Sequence, residues 1–129
     1  MEIHTPPYLT CEPEIRRYAF YAQDRMLILA TDGLWDMLSN DVVVRFAAAH
    51  LEGRAAEEML DMAQRMGVEG DELTADSFAY AQTENCATFL IRMALAGYNA
   101  EEFSWFMSLP SEEVRLYRDD ITVLVVMLK

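Results

Sequence analysis

Two short apolar runs, near opposite ends of the chain, constrain its fold most. Met26-Leu27-Ile28-Leu29-Ala30 and Ile121-Thr122-Val123-Leu124-Val125-Val126-Met127-Leu128 are both bounded by charged or turn-forming residues. Each predicts a buried β-strand. Each also has acids at one end: the first run leads into Thr31-Asp32-Gly33-Leu34-Trp35-Asp36, and Asp119-Asp120 opens the second. If the two strands are neighbours, their acids share one rim of a sheet. Acids packed together raise one another's pKa unless a cation offsets the repulsion, and a set of oxygen ligands suits a hard divalent ion such as Mg²⁺ or Mn²⁺.

The chain has 129 residues, of which 53% are hydrophobic, enough for one small domain with a real core. Its net charge of −12 and single basic doublet, Arg16-Arg17, argue against nucleic-acid binding. No apolar stretch approaches the ~20 residues of a membrane span. Met1-Glu2-Ile3-His4-Thr5-Pro6-Pro7 has neither signal-peptide nor transit-peptide character and reads as the middle of a longer protein. Cys11 and Cys86 are read as small buried thiols rather than a disulfide framework.

Along the chain, residues 14–20 alternate like a strand and 21–24 like a turn, which predicts an antiparallel hairpin with 25–31. Gly33 is expected to free the backbone after that strand, and a helical turn over 34–38 would set Asp32 and Asp36 on one side. Ser39-Asn40-Asp41 caps a helix running to about Leu51, with Val42, Val43, Phe46 and Ala47 facing inward and Gly53 ending it. Ala56, Met59, Leu60 and Ala63 mark a second helix over about 55–66. Residues 67–83, with Gly67, Gly70, Asp71, Glu72, Thr74 and Asp76, read as an acidic surface loop. Its spacing is not that of an EF-hand, and its length and charge suggest at most a docking element. Helical spacing returns over 84–96, through Ala87, Leu90, Ile91, Ala94 and Leu95, and over 100–109 before Pro110. Trp35 is read as a core or cleft-wall residue, the methionines as core filler, and His4 and His50 as lacking partner ligands. The expected total is three or four strands and four helices. So small a sheet leaves edges open and one face hard to cover, which suggests missing architecture.

With those elements in place, three motifs resemble a known family. Leu27-Ile28-Leu29-Ala30-Thr31-Asp32-Gly33-Leu34-Trp35-Asp36 resembles the late aspartate box of the PPM-type, metal-dependent serine/threonine protein phosphatases. Asn85-Cys86-Ala87 at a helix start and Arg118-Asp119-Asp120-Ile121-Thr122-Val123 entering the last strand resemble its closing boxes, in the same order. Pro6-Pro7-Tyr8-Leu9-Thr10, Glu12-Pro13-Glu14, Thr88 to Arg92, Leu109-Pro110 and Tyr117 to Thr122 are most similar to the pyruvate dehydrogenase phosphatase branch.

The resemblance implies an α+β architecture, the C-terminal half of an α/β/β/α sandwich with few, mostly antiparallel strands. Residues 1–129 would then be an incomplete single domain. It implies hydrolysis of phosphoserine or phosphothreonine proteins by a water activated at a binuclear Mg²⁺ or Mn²⁺ centre. Asp32 and Asp119 match metal-ligand aspartates, Asp36 an acid of an additional weaker metal site, and Gly33 and Asp120 supporting positions. The branch implies phosphorylated pyruvate dehydrogenase as substrate and the mitochondrial matrix as location, with the cytoplasm as alternative. The family's early glutamate ligand, its first glycine-rich acidic box, its phosphate-contacting arginine and its central Asp-Gly box have no counterpart here. Asp120 stands where the family usually has Asn, and Glu84 where Asp is common. No complete catalytic set is present, so the chain alone is expected to be inactive. A non-catalytic binding or regulatory module derived from such a phosphatase is the alternative.

Overall fold

The computed structural model describes residues 9–68 and 73–128. His4, the Pro6-Pro7-Tyr8 segment, and Gly70, Asp71 and Glu72 of the acidic loop lie outside the described residues. Strand β1 (Met26–Ala30) pairs antiparallel with β2 (Val123–Met127), Met26 opposite Met127 and Ala30 opposite Val123. Between them come α1 (Asp32–Trp35), α2 (Asn40–Leu51), α3 (Ala55–Arg65), a 3₁₀ turn (Ala75–Phe78), α4 (Tyr80–Thr83), α5 (Cys86–Leu95), α6 (Ala100–Ser108) and α7 (Ser111–Val114). This is an α+β arrangement of packed helices against a two-stranded antiparallel sheet among the described residues.

The helices begin where side-chain oxygens can satisfy the free N–H groups of a first turn. Ser39 Oγ accepts from Val42 N, Asn85 Oδ1 from Thr88 N at 2.9 Å, and Asn99 Oδ1 from Glu102 N at 2.9 Å. Their inward faces make one core, with Val43, Phe46 and Ala47 of α2, Met59 and Ala63 of α3, and Phe89, Leu90, Met93 and Ala94 of α5. Phe46 and Phe89 meet edge to face at 6.3 Å between ring centres. Period-two alternation turns Met26, Ile28, Ala30, Val123 and Val125 toward that core. The opposite face of the sheet, Leu27, Leu29, Leu124 and Val126, is exposed. The strands are thus apolar on both faces, and the described helices cover one.

Three expectations are corrected here. Residues 14–20 form no strand, although the turn after them does close, with Asp24 N donating to Tyr21 O at 3.1 Å. A strand needs a ladder partner and a surface to pack on. Arg16, Tyr18 and Phe20 have neither, and this segment stays exposed. The supposed loop 67–83 carries the 3₁₀ turn and α4 over its last part. Burial of Phe78 and Ala81 draws it in. Gln82 then bridges two helix ends: its Nε2 donates to His50 O at 2.9 Å and its Oε1 accepts from Ala55 N at 3.1 Å. Cys11 is exposed and Cys86 half-buried, so the expectation of two buried thiols fails at Cys11.

His50, at the end of α2, lies over Phe89 and places Nε2 2.8 Å from Glu84 O, a structural role. Next to it, the Arg92 guanidinium pairs with the Glu84 carboxylate, Nε lying 3.0 and 3.1 Å from the two oxygens. The same guanidinium sits 4.0 Å from the Phe103 ring centre and 5.0 Å from that of Tyr80. Removing one member of so enclosed a pair leaves the other charge without compensation. The pair therefore ties α4, α5 and α6 together.

The one-sided burial gives a stability test. Phe89→Ala should cost about 3–5 kcal/mol because that ring is fully enclosed, whereas Leu124→Ala should cost under about 1 kcal/mol because its side chain stands 57% exposed. Urea unfolding of both variants reads the difference; equal losses would contradict it. Burial also raises the Cys86 thiol above its usual pKa. Alkylation at neutral pH should label Cys11 well before Cys86, as timed by mass spectrometry. Since the folded state holds that proton more tightly, stability should fall as pH rises above the ordinary thiol pKa of about 9.

Candidate metal centre

The antiparallel register carries the two acidic segments to one end of the sheet. Beyond the Ala30–Val123 pair the pairing continues through one backbone bond and the Thr31 hydroxyl. Thr31 N donates to Thr122 O at 3.1 Å, Thr31 Oγ1 accepts from Thr122 N at 3.1 Å, and the same hydroxyl donates to Asp120 O at 3.3 Å. Trp35 Nε1 donates to Ala30 O at 3.0 Å, which folds α1 back on the strand that precedes it. Asp36 N donates to Asp32 O at 2.8 Å, so the two acids are one helical turn apart, as their spacing predicts.

Gly33 serves a purpose other than the expected backbone freedom. It is helical, and positive φ angles occur instead at Gly53, Gly67 and Gly97. What Gly33 supplies is space. A Cβ there would come within 2.8 Å of Ile121 Cγ1 and 3.0 Å of the Asp120 carbonyl carbon, and closer still to its oxygen. The absent side chain lets α1 lie directly on the backbone of the second acidic segment.

Asp36 and Asp119 line one cavity of about 200 Å³, walled by Gly33, Leu95, Phe106 and Ile121. Asp32 opens α1 at the same end of the sheet but does not line that cavity. Asp119 Oδ1 accepts from Asp120 N at 2.8 Å, which fixes the carboxylate and leaves Oδ2 for another partner. Asp120 is engaged through its backbone, while its side chain is exposed. Oxygen-only donors fit a hard cation in kind. They fall short in number, because no group of three or more His, Cys, Asp or Glu converges among the described residues. Among the described residues the acids therefore meet at one rim without forming a group that could hold a metal ion. Thr31 escaped the sequence reading; its only signal was a hydroxyl between an apolar strand and an acid.

The sequence matches known proteins. The family pattern described as Protein phosphatase 2C matches residues 2–71, more than half of the chain. The chain belongs to that family. It is 43% identical over 133 residues to human "[Pyruvate dehydrogenase [acetyl-transferring]]-phosphatase 2, mitochondrial", covering 95% of this chain and 25% of that protein. It is 38% identical to human phosphatase 1 of the same description, again over 95% of this chain and 25% of the relative. A Saccharomyces cerevisiae protein, also described as phosphatase 1, mitochondrial, is 31% identical over 96% of this chain and 26% of its own length. The chain therefore spans about a quarter of the length of these curated relatives. No helix among the described residues is long and apolar enough to cross a membrane.

The rim makes two testable demands. Gly33→Ala must push α1 off the Asp120–Ile121 backbone and should cost about 1–3 kcal/mol or more. Thr31→Val removes the two hydroxyl hydrogen bonds at nearly constant shape, keeps the backbone one, and should cost about 1–3 kcal/mol. Thermal melts give both losses, and amide exchange should speed up at Thr122 in each variant. Unchanged exchange there would show that the rim is held by other contacts.

Proposed function

We propose that residues 1–129 form the C-terminal part of a PPM-type protein serine/threonine phosphatase domain and supply one side of its Mg²⁺ or Mn²⁺ centre. The observation that carries this reading is the register that brings Asp32–Asp36 and Asp119–Asp120, distant in sequence, to the same end of one sheet. Asp119 would hold a cation through its free Oδ2, Asp36 would serve a neighbouring weaker position, and Asp32 would complete this side once further ligands are present. Such a cation supplies charge neutralisation and a more acidic water for hydrolysis of a phosphate ester. Thr31 and Gly33 position the acids. Asp120 supports Asp119 through its N–H.

The substrate would be a phosphoserine or phosphothreonine protein. The relatives' names favour phosphorylated pyruvate dehydrogenase and the mitochondrial matrix. Because the chain spans about a quarter of those relatives, it should turn over no phosphopeptide by itself.

The test is Mn²⁺-dependent phosphopeptide hydrolysis by a longer protein that carries this chain joined to the remaining three quarters of a relative. Asp119→Asn and Asp32→Asn should each lower kcat at least about a hundredfold, and Asp36→Asn less. Robust turnover by the 129-residue chain alone, or full activity of the Asp119→Asn variant, would overturn the proposal.

A further inference from the structure

We propose that Arg115 and Arg118 form an oxyanion-binding site beside the acidic rim. It would take an anionic group of the substrate polypeptide, a phosphoryl or a carboxylate. That the anion belongs to a substrate rests on the phosphatase reading; that the site binds an oxyanion does not.

The two arginines follow α7 in a continuing helical turn, where Tyr117 N and Arg118 N both donate to Val114 O, at 3.1 and 3.0 Å. Residues three apart in such a turn share a face. Arg115, Arg118, Asp119 and Asp120 line a cavity of about 380 Å³. Arg118 and Asp119 also line the cavity that holds Asp36, so the two cavities adjoin, with these two residues between them.

The guanidinium groups are under-used. Arg118 Nε is shut off from solvent and has no hydrogen-bond acceptor among the described residues. Its Nη1 reaches only the Asp119 carbonyl, at 3.3 Å. Arg16, Arg45, Arg54, Arg65 and Arg92 have carboxylate partners, whereas Arg17 and Arg25 have none among the described residues. Neither Arg115 nor Arg118 has an ion-pair partner among the described residues, although two carboxylates share their cavity. A buried N–H without an acceptor is costly, and the planar fork of a guanidinium matches two oxygens of a phosphate or carboxylate. Arg115, exposed on the same face, adds a second cation. In a chain of net charge −12, these two guanidinium groups offset the two carboxylates of the same cavity and so lower the repulsion an anionic substrate would meet there.

The test titrates the full chain with inorganic phosphate, a phosphoserine peptide and acetate, in EDTA at constant ionic strength, following the arginine side-chain and backbone resonances by NMR. Phosphate should perturb residues 115–120. Arg118→Ala should weaken its binding roughly tenfold and Arg115→Ala roughly threefold, while Arg65→Ala, on α3, leaves it unchanged. If Arg118→Ala does not fold, Arg118→Lys, which keeps the charge and loses the fork, should still weaken binding. Tighter binding of the phosphoserine peptide than of acetate assigns a phosphoryl group; equal binding assigns a carboxylate. Absence of saturable anion binding, or affinity unaffected by the Arg115 and Arg118 variants, overturns the inference. Anion binding in a chain whose rim fails to take up Mn²⁺ would leave this inference standing and remove the metal-centre reading.

Discussion

The structure depends on one interlock, between Thr31–Gly33 and Asp120–Thr122. The Thr31 hydroxyl bonds to partners 89 and 91 residues away along the chain. Gly33 allows the one-turn helix behind it to rest on the same backbone. These contacts close the loop that contains nearly all of the helical core, so they form against a substantial loss of chain entropy. What offsets that loss is the shared hydrophobic cluster in which Met26, Ile28, Val123 and Val125 meet Val43, Phe46 and Phe89. Rim and core are therefore one cooperative arrangement. The acids are held in place by the burial of apolar groups away from the rim.

The sheet has two apolar faces and one described cover. Leu27 stands opposite Val126, and Leu29 opposite Leu124, on the exposed side. Four apolar side chains in register are the composition of an interior surface, since a solvated face normally alternates toward polar residues. The chain also matches about a quarter of the length of its curated relatives. Both observations belong with an acid set that reaches the right end of the sheet yet gathers no group of three ligands among the described residues.

Much of this was legible from local chemistry. Ser39, Asn85 and Asn99 announce helix starts because a side-chain oxygen next to an unsatisfied N–H is a local event. The apolar spacing of α3 reads directly as Met59 and Ala63 turned inward. The alternation at residues 14–20 misled, because alternation shows what a strand would bury and not whether a partner exists. The segment before Glu84 misled in the opposite sense. Its polar composition suggests a loop, whereas the burial of Phe78 and Ala81 and the two helix ends that Gln82 bridges explain its helical turns. The Glu84–Arg92 pair, stacked against Phe103, was equally invisible because its energy comes from enclosure by three elements.

By itself, the sequence determined the two paired strands, the main helices and the chemistry of the rim: that acids flank the two apolar strands, and which family those boxes resemble. These follow from periodicity, capping and residue type, which act over a few neighbouring residues. Only the tertiary structure decided that Asp36 and Asp119 share a cavity while Asp32 stands outside it. It alone showed that Gly33 is needed for space, and that the guanidinium of Arg118 has a buried N–H without an acceptor. Those are properties of groups brought together across some ninety residues of chain, set by excluded volume and desolvation, and no local pattern encodes them.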